Sequence, residues 1–404
     1  MMDAIFTGLS GMQAYSTGLD VISNNVANLN TVGFKTSAAV FQDLVFQSAS
    51  ASLNGEPADT SPGAGVVANT LTQSFAQGQL SSTNNPLDAA IDGNGFFVLQ
   101  DQGTTLYTRS GQFEVDKNGD VVDTTTQAQV MFSTSKTTIG PLNVNAFQTD
   151  PPVATTTVTL QGNLALNATT PTSFTTPAIT VYDASGGSHT VTVNFNESAT
   201  NPLQWTAEVE DSTGKVLSTN TLTFSADGTP ATGSTAITAT ITPTTAPKFQ
   251  VSFNLGAAGT FAGVTATASG TTSTVQALHV DGQALGTLTQ YAFTNAGKLQ
   301  ITYSNGDTKT VGTLLLARFE TQDQLKEISN GDFVAAGGVN PTLGAPLDAG
   351  LGSIMGGQLE QSNVDLTTQF TDLIIIERGY QAGSQMVSTA GDMMQQLLDM
   401  QRGR

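Results

Sequence analysis

Both ends of this chain carry the same heptad seam, and few architectures can satisfy two such helices at opposite ends of one sequence. Counting by sevens from Ile5 gives Ile5, Met12, Leu19 and Val26, with Gly8, Tyr15, Ile22 and Leu29 three residues after each. The same count from Leu366 gives Leu366, Leu373, Tyr380, Val387 and Met394, with Gln369, Ile376, Gly383, Ala390 and Leu397 as companions. A helix over the first seam would be roughly 40 Å long at 1.5 Å per residue. An amphipathic helix of this kind ordinarily lies on its own domain, but a matching seam at the other terminus points to pairing. Gly8, Gly383 and Ala390 keep the seams narrow enough for a neighbouring helix to come close. Gly379 and Gly383 each cost about 1 kcal/mol relative to alanine in a helix interior. The second helix is therefore expected to need neighbours, and the run Ile374–Ile376 is wider than a two-helix seam requires. Residues 1 to about 30 and 363–404 are accordingly expected to be disordered in the isolated chain and helical in an assembly.

Between the helices the pattern changes period. The stretch AIDGNGFFVLQ (90–100) reads as a strand after a glycine turn. LYTRSGQFEVDKNGDVVDT (106–124) reads as strands broken at Ser110–Gly111 and Asn118–Gly119, the second a strong hairpin signal. From about 150 to 280, short β-branched runs such as TVTVNF and QWTAEVED recur between Gly, Asn and Pro breaks, which suggests a β-sandwich or barrel. KLQITYSNGDTKTVGTLLLARF (298–319) supplies a further hairpin at Asn305–Gly306. The fold class expected is α+β, with long N- and C-terminal coiled-coil-like helices enclosing nested, mainly-β domains.

Several function classes fall away on chemistry. With 32 acidic against 13 basic side chains, net charge −19, the chain repels nucleic acid and anionic membranes. Zero cysteines remove disulfides, thiolate metal sites and a cysteine nucleophile. The N-terminal segment lacks the basic region and apolar core of a secretory signal, and no run approaches a membrane span, so export without a cleaved signal peptide or retention in the cytoplasm is expected. Asp116–Asp120 resembles a calcium loop only superficially, because its glycine is fourth and the loop needs it sixth. Gly93–Asn94–Gly95 lacks the third glycine of a dinucleotide fingerprint and runs into a strand. His189 and His279 stand far apart with no metal spacing around them. No catalytic residue, metal or cofactor is expected.

Three blocks carry a resemblance. SGMQAYSTGLDVISNNVANLNTVGFK (10–35), AIDGNGFFVL with YTRSGQFEVDKNGDVV, and GQLEQSNVDLTTQFTDLIIIERGYQAGSQMVSTAGDMMQQLLDM (357–400) stand in the order and places found in the bacterial flagellar rod and hook axial proteins. The chain departs from that pattern at Glu377 and Gly383, where the family usually has glutamine and asparagine. Its length and Thr-rich insertion resemble the hook-type members more than the shorter rod-type ones. The resemblance implies a structural homopolymer of the flagellar hook at the cell exterior, a flexible helical tube passing torque from rod to filament around a central export channel. The implied partners are other copies of itself, the rod, hook cap and hook–filament junction proteins, and the type III export apparatus, with no nucleic acid and no membrane insertion. It also implies an inner-tube domain (1–30 and 363–404), a connecting segment (31–72 and 353–362), an inner β domain (73–145 and 285–352) and an outer β domain (146–284). In that setting the apolar seam residues counted above form the subunit interface. Asn24, Asn25, Asn28 and Asn30 serve the exit of the first helix by bonding free backbone groups. The rivals are a distal rod protein and a secreted β-rich carbohydrate-binding protein or glycosidase, for which Trp205, Tyr182, Glu208 and Glu210 would be the relevant residues.

Overall fold

The computed structural model describes residues 2–45, 63–134, 138–166, 171–243, 246–321 and 324–402. Met1, residues 46–62 of the expected connecting segment, and residues 403–404 of the expected terminal helix lie outside the described residues. The fold is mainly β, with one long helix toward each end: α1 (Met2–Ala27) and α2 (Leu366–Arg402). It divides into two compact units, one comprising Met1–Asn145, Tyr291–Gln300 and Thr310–Arg404, the other Ala146–Gln290 and Ile301–Lys309.

In the first unit, α1 is free of proline and ends where Asn28 N–H bonds back to the Asn24 carbonyl at 3.1 Å. Gly33 then turns the chain at φ +71°, and a Cβ there would lie 2.7 Å from the backbone nitrogen of Ser110, so both conformation and space require glycine. Next come β1 (Ser37–Val45) and β2 (Gly63–Gln73), an antiparallel pair in register from Ser37↔Gln73 to Val45↔Gly63, with a bulge at Val40/Phe41. The β core is built on Phe96–Asp101, which pairs with Thr104–Thr108, Gln129–Ser133 and Leu316–Arg318. Phe113–Val115 and Val121–Asp123 form a hairpin over Asp116–Asp120, where Asp116 accepts from Asn118 N–H at 2.9 Å. The acidic loop is thus a turn that bonds its own backbone. Two strands return late in the chain: Ser353–Gly356 pairs with Ala89–Asp92, and Gln358–Glu360 pairs with Leu80–Ser82. They bring the chain back beside its own beginning just before α2.

The second unit closes on itself. One five-stranded sheet centres on Thr157–Ala165, parallel to Phe249–Asn254 and Val264–Thr267 and antiparallel to Gln276–Val280. The other centres on Ser188–Glu197 and Gln204–Asp211. Val158, Phe195, Trp205, Val251 and Phe253 from both sheets share one buried core. Strict alternation along Gln204–Asp211 buries Trp205, Ala207 and Val209 and leaves Glu208 and Glu210 on the opposite face. With Trp205 at 0% exposure, a sugar has no indole to stack on, and the carbohydrate-binding reading loses its platform.

Candidate assembly interface

The two terminal helices lie side by side in the first unit and run antiparallel, since Gly8 meets Gly383 and Val387, Gly18 meets Ile376, and Asn25 meets Gln369. Glycine decides how close they come. A Cβ on Gly8 would sit 2.8 Å from Val387 Cγ2, one on Gly383 would sit 3.1 Å from Met12 Cγ, and the Tyr15 ring lies directly over Gly379. Four of the residues that weaken the helices alone, Gly8, Gly18, Gly379 and Gly383, are therefore among those through which the pair touches. This pairing gives each seam a partner within its own chain, where the seams taken separately point to other copies. A second face of α1 carries the hairpin β1–β2: Ser10 Oγ accepts from Val66 N–H at 3.2 Å, and the Tyr15 and Phe41 rings stand 5.6 Å apart.

The seam residues divide by burial. Ile22 and Ile376 are buried within the chain, and Ile5, Met12, Tyr15, Val26, Leu29, Leu373, Val387 and Met394 are partly covered. Leu19, Leu366, Tyr380 and Leu397 remain exposed. Counting sevens missed much of the open apolar surface: Phe6 and Leu9 on α1, and Phe370, Ile374, Ile375, Met386, Met393, Leu398 and Met400 on α2. At about 100° per residue, Ile375, Met386, Met393 and Met400 fall on one flank of the stripe that meets α1, Leu398 falls on the other, and Phe370 and Ile374 lie on the face turned away from α1. The isoleucine run was the visible signal, and Ile375 is 61% exposed.

Polar residues lock the base of the helix pair. Asn25, buried, donates through Nδ2 to Gln369 Oε1 and to the Ser37 carbonyl, both at 2.8 Å, and accepts from Ser37 N–H at 3.0 Å, so one amide joins α1, α2 and β1. Asn28 bonds Asn24, whereas Asn30 is exposed. Asn363 accepts from Thr36 N–H at 2.8 Å and donates to the Ser74 and Ala76 carbonyls at 2.8 and 2.9 Å. Two residues on, Asp365 caps α2 by accepting from Thr367 N–H at 2.8 Å, and that bond holds its carboxyl below the usual range.

Beneath this lies a charged cluster that sequence reasoning did not find. Lys35 Nζ donates to Glu360 Oε1 at 2.6 Å and to the Ala76 carbonyl at 2.9 Å. Arg109 bonds Glu360 Oε2 at 3.1 Å and the Gly93 carbonyl at 2.9 Å, with its guanidinium 5.3 Å from the Phe96 ring centroid. Gly78 N–H also donates to Glu360, at 2.8 Å. All three charged side chains are buried. Burial pushes Lys35 and Arg109 below their ordinary values, and the Glu360 carboxylate opposes the shift in both. One residue comes from each conspicuous block: Lys35 closes TVGFK, Arg109 stands in YTRSG, and Glu360 stands in GQLEQSNVD. No local signal marks them, since Arg109 stands between Thr108 and Ser110 and Glu360 between Leu359 and Gln361.

Comparison with known proteins matches four families. The family described as flagella basal body rod protein matches residues 5–35, the flagellar hook protein FlgE/F/G D1 domain 90–165, the flagellar basal body protein FlaE D2 domain 152–372, and the flagellar basal body rod FlgEFG protein C-terminal 355–400. The flagellar hook protein FlgE of Treponema pallidum is 33% identical over 100% of both chains. Those of Salmonella typhimurium and Escherichia coli are 31% and 30% identical, covering 97% and 98% of this chain and 98% and 100% of their own.

Proposed function

The chain belongs to the flagellar hook protein family, and from that membership we propose that copies of this structural subunit assemble into a flexible helical tube that passes torque from rod to filament around a central export channel. The observation that carries the reading is the unburied apolar surface along α1 and on both flanks of α2. A helix pair that spends its glycines on mutual contact and leaves Phe370, Ile374, Ile375 and Leu19 in water is built to receive further helices.

In this reading residues 1–30 and 363–404 form the inner layer of the tube. Residues 31–72 and 353–362 connect that layer to an inner β domain of 73–145 and 285–352, and 146–284 forms an outer domain. The exposed members of the seam, Leu19, Leu366, Tyr380 and Leu397, contact neighbouring copies together with the flanking residues. The hook cap, rod, hook–filament junction proteins and type III export apparatus are the partners, and the subunit leaves the cell without a cleaved signal. Bending during rotation requires contacts that lengthen and shorten once per turn, and the polar, Thr-rich surface of 146–284 has few large apolar anchors to hold one register. Electron microscopy of the purified chain under assembly conditions tests this directly. Short curved tubes support it, and so do basal bodies that stop after the rod when the gene is deleted; a chain that stays monomeric, with hooks intact in the deletion, overturns it.

A further inference from the structure

We propose that Met386, Met393 and Met400 form an oxidation site on α2, where a hydroperoxide turns the flank that a neighbouring copy covers from apolar to polar and so holds the subunit out of assembly. Among the described methionine side chains these three are 53%, 45% and 68% exposed, whereas Met12, Met131, Met355 and Met394 are partly covered. They follow one another at seven-residue intervals and share one flank of the helix with Ile375, which is also exposed. Glu377, Asp392 and Asp399, all the acids of 377–400, fall roughly 100° or more around the helix from the centre of that flank. This part of the flank is therefore uncharged and rich in thioethers, where the other open positions of the helix pair carry leucine, isoleucine and aromatic side chains. A thioether packs as an adaptable apolar group, and its sulfur is also a nucleophile. Its lone pair attacks the outer oxygen of a hydroperoxide, so that an S–O bond forms as the O–O bond breaks. The sulfur is oxidised, the peroxide is reduced, and the proton of the transferred oxygen leaves with the departing water or alcohol. The sulfoxide that results is polar, and burying its oxygen against an apolar helix without a donor is costly. The reactivity belongs to the single chain; its effect on assembly rests on the tube proposed above.

The first arm of the test exposes the isolated full chain to dilute hydrogen peroxide and follows, by peptide mass spectrometry, the order in which its methionines gain oxygen. Met386, Met393 and Met400 should react several-fold faster than Met394, which adjoins Met393 in sequence but lies on the stripe that meets α1. Equal rates at Met393 and Met394 overturn the site. The second arm measures the critical concentration for assembly. Peroxide treatment should raise it about tenfold or more, and methionine sulfoxide reductases acting on both epimers should restore it. The variant carrying Met386→Leu, Met393→Leu and Met400→Leu should have the same critical concentration before and after peroxide, whatever its own value. A rise that persists in this variant assigns the effect to other residues and overturns the proposal, as does an oxidised wild type that assembles normally. Should the leucine variant fail to fold, reversal by the reductases decides in the wild type. In finished tubes the three methionines should resist peroxide, and oxidation there at the rate of the free chain places the flank in solvent and overturns the proposal. An untreated wild type that forms no tubes would break the proposed function, and the order of oxidation would then decide the site alone.

Discussion

The helix pair and the β-sandwich solve the burial problem in opposite ways. In the sandwich, strand alternation sends Val158, Phe195, Trp205 and Phe253 into one closed core, and the outer surface is mainly polar, with Val216, Phe261 and Leu278 as scattered exceptions. In the helix pair, 26 and 37 residues long, Ala14, Ile22, Ile376 and Ala390 are the only fully buried apolar side chains among the described residues, while larger ones stand in water on either side. The sandwich is finished as a single chain; the helix pair is not. Full burial of one large aliphatic side chain contributes about 1.5–3 kcal/mol, so several such residues repeated in every subunit are ample to hold a polymer together. In the proposed tube the assembly energy would come from the helices, while the sandwich closes its own core.

The sharpest way to break this comparison is to charge the open stripe. Ile375→Asp and Leu19→Asp replace side chains already exposed in the single chain, so each variant should keep the wild-type melting temperature. Buried against a neighbour, an unpaired carboxylate costs several kcal/mol or must be protonated. Polymerisation, followed by sedimentation and microscopy, should be abolished. Normal tubes from Ile375→Asp would show that this flank of α2 faces solvent in the assembly.

Two core substitutions of similar size test whether the units are energetically separate. Phe253→Ala should cost about 3–5 kcal/mol in the second unit, by lost transfer energy and the cavity left behind. Glu360→Gln strips the carboxylate from between two buried cations in the first unit and should cost about the same. Denaturant unfolding followed by near-ultraviolet circular dichroism, which reads Trp205, and by helix content should separate them. Each variant is expected to move one transition and leave the other. A single shared transition displaced by both would mean that the sandwich is not independent of the rest.

Periodicity explains what was legible in the sequence and what was not. Alternation over QWTAEVED and the Asn118–Gly119 turn identify strands and a hairpin because both are local signals. Tyr15 and Gly379 lie on the contact stripe, but nothing local says that Gly379 accommodates the Tyr15 ring. The heptad count located that stripe and underestimated the width of the apolar arc, because a coiled-coil template admits two positions in seven, whereas α2 is apolar on both flanks as well. The Lys35–Glu360–Arg109 cluster was invisible for a different reason. Its members lie far apart along the chain, and only the return of Gln358–Glu360 onto Leu80–Ser82 brings them together.

A smaller effect comes from Asp332 in the first unit. Burial raises its carboxyl to about 6, with the Asp123 charge adding to the shift and the Thr108 hydroxyl opposing it. A folded-state value above that of the unfolded chain means no penalty in acid and a loss of stability as pH rises from about 4 through 6. Asp332→Asn removes the penalty, so it should be more stable than wild type by up to about 3 kcal/mol at pH 8, with the difference vanishing near pH 4. Urea titrations of both chains across that range provide the check. A wild type that is the more stable at pH 8 would show that its carboxylate is well satisfied when charged.

The smallest expected effect bears most closely on the glycines of the helix pair. Gly11 and Gly8 are one turn apart on α1, but a Cβ on Gly11 meets nothing within 4 Å, whereas one on Gly8 comes within 2.8 Å of Val387 Cγ2. Each Gly→Ala change gains about 1 kcal/mol of helix propensity. At Gly11 nothing opposes that gain. At Gly8 the obstructing methyl belongs to a β-branched side chain with little rotamer freedom, so the helices must separate and the gain is lost or reversed. Gly11→Ala should therefore raise the helical signal and thermal stability of the isolated chain, while Gly8→Ala should lower both and delay assembly. If both variants raise helix content equally, α1 forms without α2 against it. If neither changes the isolated chain and both alter polymerisation, the terminal helices take shape only among neighbouring subunits, and the contrast with the self-sufficient sandwich becomes complete.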